Sequence, residues 1–231
     1  MAHPGQLTIE RTEVEIPSGD VRLSGDLVVP AGAPAVVVIV GAPALRMAMT
    51  WDAMLGRLAG DLQDARLATL LLNLRTPGEV RTLVAELPHR PPGEEAELLT
   101  RRLMDVLEWL GGHAATSRLT VGLLAAGGGA AAPALCAAAA TPRRVGAITC
   151  YNGRLEAMPC EPVRVSTPTL LVVDAEEPGL VEANRALAKE GLAPVELQVL
   201  PARGRSEEDR LQQRLWLAVD WFERHLVGRS P

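Results

Sequence analysis

Three consecutive glycines, Gly127 to Gly129, interrupt an otherwise apolar stretch, LTVGLLAAGGGAAAPALCAAAATP (119–142), which has no charge between Arg118 and Arg143. Glycines placed after an apolar run suit two kinds of chemistry. Their amides could cradle a phosphate, and Gly127-x-Gly129-x-x-Ala132 formally matches the dinucleotide fingerprint. The match is weak in context, because it falls mid-chain and no acidic residue ends the next apolar run. Close packing of a helix on a strand explains the same small residues more simply. The second chemistry is anion binding. Amides at 127–129 would open a helix N-terminus, and Arg203 or Arg205 would add a guanidinium fork. Against this stands the ordinary use of such arginines as solvated loop charges.

Thiols, imidazoles and carboxylates complete the chemical inventory. Cys150 ends an apolar run beside Tyr151 and Asn152, where a thiolate could face a ligand, but no recognisable base accompanies it. Cys136 reads as a core residue and Cys160, between Pro159 and Glu161, as a loop residue without a role. Of the histidines, His3 lies in the tail, His113 follows a helical stretch, and His225 ends the last one. Only His89, in the stiff loop PHRPPG, could lean over a pocket. Met47, Met49, Trp51 and Met54 gather in RMAMTWDAM, a segment suited to lining a pocket or an interface. Core packing accounts for Trp51 and Met54 equally well.

Composition narrows the function classes. A chain of 231 residues with 48% apolar content supports a single domain, 1–231, with a substantial core. Net charge of −5 gives no electrostatic reason to expect nucleic acid or an anionic membrane. Three cysteines without CxxC spacing suggest neither a metal site nor a disulfide framework, and the odd count suits reduced thiols in a cytoplasm. Residues 1–20 lack the apolar core of a secretory signal. The stretch 119–142 is too alanine-rich, and too broken by glycine and Pro133, to cross a membrane.

The elements that must position these residues follow from periodicity. LTIERTEVEI and VRLSGDLVVP alternate, with PSGD between them, and predict an antiparallel hairpin. Apolar runs follow at 35–40, 67–73, 119–125, 145–151, 168–174 and 195–201. Such runs predict parallel strands buried on both faces. Between them, 51–65 and 94–110 carry apolar residues at helical spacing. A last helix starts at Ser206 with Asp209 as its capping-box partner, burying Leu211, Leu215, Val219, Phe222 and Leu226. The sum is one doubly wound α/β domain, with a mostly parallel sheet of about eight strands behind an N-terminal hairpin.

From residue 8 to the end, this order resembles the α/β-hydrolase fold, specifically the dienelactone hydrolase-like family. The similarity is densest in VRLSGDLVVP, LATLLLNLRTP, PTLLVVDAEEPGLVEANRAL and LAVDWFERHL. The resemblance implies a G-x-S-x-G elbow at the end of a strand, where a strained turn exposes the nucleophile. Here that stretch reads Ala125-Ala126-Gly127-Gly128-Gly129, with glycine at the nucleophile position. It also implies His-Gly after the third strand, where Val40-Gly41 stands, followed by Ala42. The acid belongs after LLVV, among Asp174, Glu176 and Glu177, with Glu177 nearest the place. The histidine belongs where Gly204 or Arg205 stands.

A Ser-His-Asp relay needs a hydroxyl, a base and a carboxylate, and two of the three are missing. The expectation is a non-catalytic protein without cofactor or metal. It would bind a small organic or anionic ligand, or a protein partner or second copy, through a vestigial pocket of Gly41, Ala42, Gly127, Gly128, Cys150, Glu177 and Arg205. The alternative is a repurposed enzyme with Glu177 or His89 as base.

Overall fold

The alternating N-terminal segment forms a hairpin. Strands β1 (Ile9–Ser18) and β2 (Val21–Pro30) pair antiparallel in the computed structural model, and the chain turns through Gly19 at φ 55°. The structure describes residues 9–41, 48–80, 92–127, 129–155, 158, 160, 165–189, 194–201 and 206–227. Alternation has its usual consequence: Val14 and Ile16 are buried, while Glu13 and Glu15 face solvent.

The apolar runs become β3 (Ala35–Gly41), β4 (Ala68–Asn73), β5 (Thr120–Ala126), β6 (Val145–Tyr151), β7 (Thr169–Asp174) and β8 (Val195–Leu200). With the hairpin they form one eight-stranded sheet, ordered β1-β2-β4-β3-β5-β6-β7-β8, parallel from β4 to β8. The winding reverses at β3, which has β4 on one side and β5 on the other. Strands diverging around such a reversal leave a crevice at their carboxyl ends. Gly41 ends β3 there, in register with Asn73 of β4 and Ala126 of β5.

Helices cover both faces. α1 (Ala48–Asp64) and α5 (Glu207–Phe222) pack on one, burying Leu58, Leu62, Leu215 and Phe222 against the odd-numbered residues of β3. α2 (Pro92–Gly112), α3 (Ala131–Ala140) and α4 (Pro178–Lys189) bury Leu103, Leu107, Leu135 and Leu187 on the other. The Ser206–Asp209 capping box forms as the sequence predicts, with the Asp209 amide donating to Ser206 Oγ at 3.0 Å. A π-helical turn, Glu223–Val227, continues α5 and buries Leu226.

Two glycines inside strands mark where this end of the chain presses on the sheet. A Cβ at Gly122 would lie 2.8 Å from Phe222, and one at Gly146 would lie 2.9 Å from Leu226. One expectation fails at the margin. Among the described residues β8 pairs only with β7, and Glu196, Gln198 and Val199 are exposed, so it is an edge strand rather than one buried on both faces. Its alternating Glu and Gln already carried that signal.

Candidate functional site

The crevice is built from strand ends. β5 runs apolar to Ala126 and then turns at Gly127, whose φ of 89° lies in the left-handed region. The Gly127 amide donates to the Tyr151 carbonyl of β6 at 3.1 Å, and its own carbonyl accepts from Ala130 at 3.2 Å. α3 begins one residue later, and its N-cap, Ala130, provides no side-chain bond. β5 thus ends just before a left-handed residue, and α3 begins at Ala131, four residues on from it. The residue at that turn, Gly127, carries no side chain.

The neighbouring strand end is occupied by a polar clamp. Asn152 follows β6 at φ 47°, a conformation asparagine tolerates better than most residues. Its side chain donates to Asp174 Oδ2 at 2.7 Å, and its Oδ1 accepts from the Asp174 amide at 2.9 Å. Arg214, on α5, donates to both Asp174 oxygens at 2.7 and 2.6 Å. The Tyr151 hydroxyl in turn donates to the Arg214 carbonyl, and burial pushes the phenol's pKa up despite the nearby guanidinium. The Asp174 carboxylate is therefore held by an arginine and an amide, which give it three hydrogen bonds. Beyond it, Glu176 pairs with Arg210 at 2.7 Å, and Glu177 is exposed just ahead of α4.

A second clamp holds the turn after β4. Glu79 accepts from Thr76 N at 2.8 Å and from both terminal nitrogens of the buried Arg102 at 2.7 Å. The Arg102 hydrogen bonds outweigh partial desolvation and lower the Glu79 pKa to about 2. Arg102 also donates to the Leu74 carbonyl at 2.8 Å, so α2 fixes the chain leaving β4. Beside Gly41 a surface cavity of about 680 Å³ opens toward the hairpin, lined by Leu55, Leu71, Asn73, Glu13 and Asp26 among others. It flanks β3 and β4 rather than lying over Gly127.

Of the residues singled out from sequence, Gly41, Gly127 and Cys150 sit at the carboxyl ends of β3, β5 and β6, and Glu177 follows β7. Ala42, Gly128, Arg203, Gly204, Arg205, His3, His89 and Met47 lie outside the described residues, as do the side chains of Met49 and Trp51; Met54 is a core residue. Cys150 is 1% exposed, and burial pushes its thiol up to about 12, far from a thiolate at neutral pH.

The cysteine reading needs a correction. Cys136 and Cys160 form a disulfide, with Cα atoms 5.5 Å apart, and only Cys150 is a free thiol. A separation of 24 residues gave no sign of this, because folding brings the segment after β6 back over α3. The expectation of a cytoplasmic chain leaned partly on reduced cysteines and loses that support. Among the described residues, no helix is long and apolar enough to cross a membrane, and no cluster of His, Cys, Asp or Glu could hold a metal.

Sequence reasoning missed Arg214 and Arg102. Both stand on helix faces whose partners become visible only once the strand ends are in place. Asn152, directly after an apolar run, was the one readable signal.

No family model matches the chain. Proteins called "putative phosphoribosyl transferase" in two strains of Mycobacterium tuberculosis are 33% identical over 223 residues. That alignment takes in 95% of this chain but 47% of theirs, so the chain spans about half the length of the curated relatives it matches. Among solved structures, a dienelactone hydrolase from Anabaena variabilis superposes with a TM-score of 0.83 at 28% identity, covering 94% of this chain and 99% of that one. A dienelactone hydrolase-like promiscuous phosphotriesterase from metagenomic libraries (TM-score 0.67, 18% identity, 94% and 98% covered) shares the fold. Strand order, helix placement and this similarity agree: the chain has the α/β-hydrolase fold, and its structure neighbours are dienelactone hydrolase-like α/β hydrolases.

Proposed function

We propose that this chain is a hydrolase-fold protein without serine-hydrolase chemistry, serving as a binding protein through the strand-end crevice or through contact with a protein partner. The observation that carries the reading is Gly127 at φ 89°, an elbow turn with hydrogen where a nucleophile's side chain would stand. Two further features support it. Asp174, one of the carboxylates beside the expected acid position, is paired with Arg214, and the place where the resemblance expects the histidine holds Gly204 or Arg205. Cys150 does not substitute, being a buried, protonated thiol.

The curated relatives favour one kind of partner. A hydrolase fold accounts for the half of those relatives that this chain spans, so we assign the phosphoribosyl transfer in their name to the other half. On that reading this chain works beside a phosphoribosyl transferase module, and its crevice takes a small organic or anionic ligand of that neighbourhood. The test is a fluorophosphonate activity probe read by intact mass. No adduct is expected on the folded protein, whereas a stoichiometric adduct abolished by denaturation would establish an activated nucleophile and overturn the proposal.

A further inference from the structure

The sheet has two edges, and they are protected differently. β1 carries Glu10, Arg11, Glu13 and Glu15 exposed along its length, the kind of charge that keeps an edge strand from pairing with another chain. β8 carries a single charge, Glu196, which already lies 3.6 Å from Arg224 of the π-helical turn. Its other residues are Val195, Leu197, Gln198, Val199 and Leu200, and Val199 is 38% exposed. Among the described residues, no strand pairs with the outer side of β8.

The ladder with β7 fixes which backbone groups face outward. The Thr169 amide donates to the Pro194 carbonyl at 3.0 Å and the Ala175 amide to the Leu200 carbonyl at 2.9 Å. The even-numbered residues of β8 therefore turn their N–H and C=O toward β7, and Val195, Leu197 and Val199 turn theirs away. Side chains alternate as well. Val195 and Leu197 pack on the core cluster that includes Leu187 of α4, whereas Leu200 belongs to the cluster under α5. Glu196 and Gln198 share that α5 face with Leu200. Pro194 and Pro201 bound the strand, and neither has an N–H to donate.

We propose that β8 is a self-pairing edge: two copies of this chain join antiparallel about a two-fold axis at Leu197 and continue the sheet from one into the other. In that register Leu197 faces its own copy, and Val195 faces the partner subunit's Val199. Each such pair turns its backbone groups toward the other and exchanges two hydrogen bonds. Between them Glu196 stands opposite the partner subunit's Gln198, so a carboxylate meets an amide donor on both sides of the axis. An axis at Glu196 sets two carboxylates against each other. An axis at Gln198 sets Glu196 opposite the apolar Leu200 and engages Pro201, which cannot donate. The alternation of β8 thus favours Leu197 as the axis. The pairing names a partner for the protein-contact side of the proposed function, but it does not rest on the absent nucleophile.

The test is sedimentation velocity of the full chain at concentrations up to roughly 100 µM, which reveals dimers of micromolar affinity. A reversible species of twice the chain's mass is expected, with amide exchange at Val195, Leu197 and Val199 slowing as concentration rises. Gln198→Glu sets like charges opposite each other on both sides of the axis and should weaken the dimer by roughly tenfold. Adding Glu196→Gln to it puts one amide opposite each carboxylate again and should recover the dimer. Trp216→Ala, which removes a ring 62% exposed on α5, should leave the dimer unchanged. A monomer throughout that range would overturn the proposal. So would a dimer abolished by Trp216→Ala, or one that leaves the three outward amides unprotected, since either places the contact elsewhere. Failure of the double variant to recover, with its circular dichroism unaltered, would overturn the Leu197 register and the proposal with it.

Discussion

Gly127 shows how much one residue decides. An L-residue at φ 89° stores about 1–3 kcal/mol of strain, and glycine holds the same turn without it. Gly127→Ala should therefore lower stability by about 1–2 kcal/mol in chemical denaturation. A rise in midpoint would mean that the turn has relaxed away from the left-handed region. Glu79 gives the second residue-scale prediction. Its pKa is depressed from 4.5 to about 2, chiefly by the Arg102 hydrogen bonds, so the stability it contributes is present above about pH 4.5 and lost as pH falls toward 2. Glu79→Gln should cost about 1–2 kcal/mol at neutral pH, discounted for the carboxylate's partial exposure, and the gap to wild type should close at the acid end. Parallel acid limbs for the two proteins in pH-dependent urea unfolding would contradict this. A turn at the glycine run 127–129 after the apolar run was legible in the sequence, because glycines interrupt it there. Glu79–Arg102 was not, since that pair joins residues 23 apart across a turn.

At the scale of elements, periodicity carried most of the information. β3 to β7 are apolar throughout because helices cover both faces, and their bounds lie within a residue or two of the runs read from sequence. The hairpin followed from alternation, and α5 from its Ser206–Asp209 box. β8 departs from this because an edge strand meets a helix on fewer sides. What periodicity does not encode is the tie between elements, such as the disulfide or the Arg214 bridge from α5 to the end of β7. Arg214 and Asp174 side chains are 13% and 14% exposed, so removing one strands the other in a poorly solvated place. Arg214→Met should cost about 2–3 kcal/mol. Asp174→Asn combined with Arg214→Met should recover part of that loss, since no unpaired charge remains. Additive losses in a double-mutant cycle would show that the two side chains do not depend on each other.

For the whole molecule, the described residues carry the α/β-hydrolase fold, and the loss of its catalytic positions is the proposal put to test. The sheet reverses its winding at β3, Gly41 pairs with Ala126 just before Gly127 at neighbouring strand ends, and α3 follows from Ala131. A fold of this kind hosts many activities, so the site decides and not the scaffold. Restoring a hydroxyl alone, as Gly127→Ser, should not give ordinary hydrolase rates, because a serine without an activating base is a weak nucleophile. The measurement that bears most directly on the proposed loss of catalysis is steady-state hydrolysis of p-nitrophenyl esters of several acyl lengths by the purified, unmodified protein. The rate should match that of the heat-denatured control at every substrate concentration. Saturable turnover by the folded protein, abolished in Glu177→Ala, would contradict it and identify a repurposed enzyme instead.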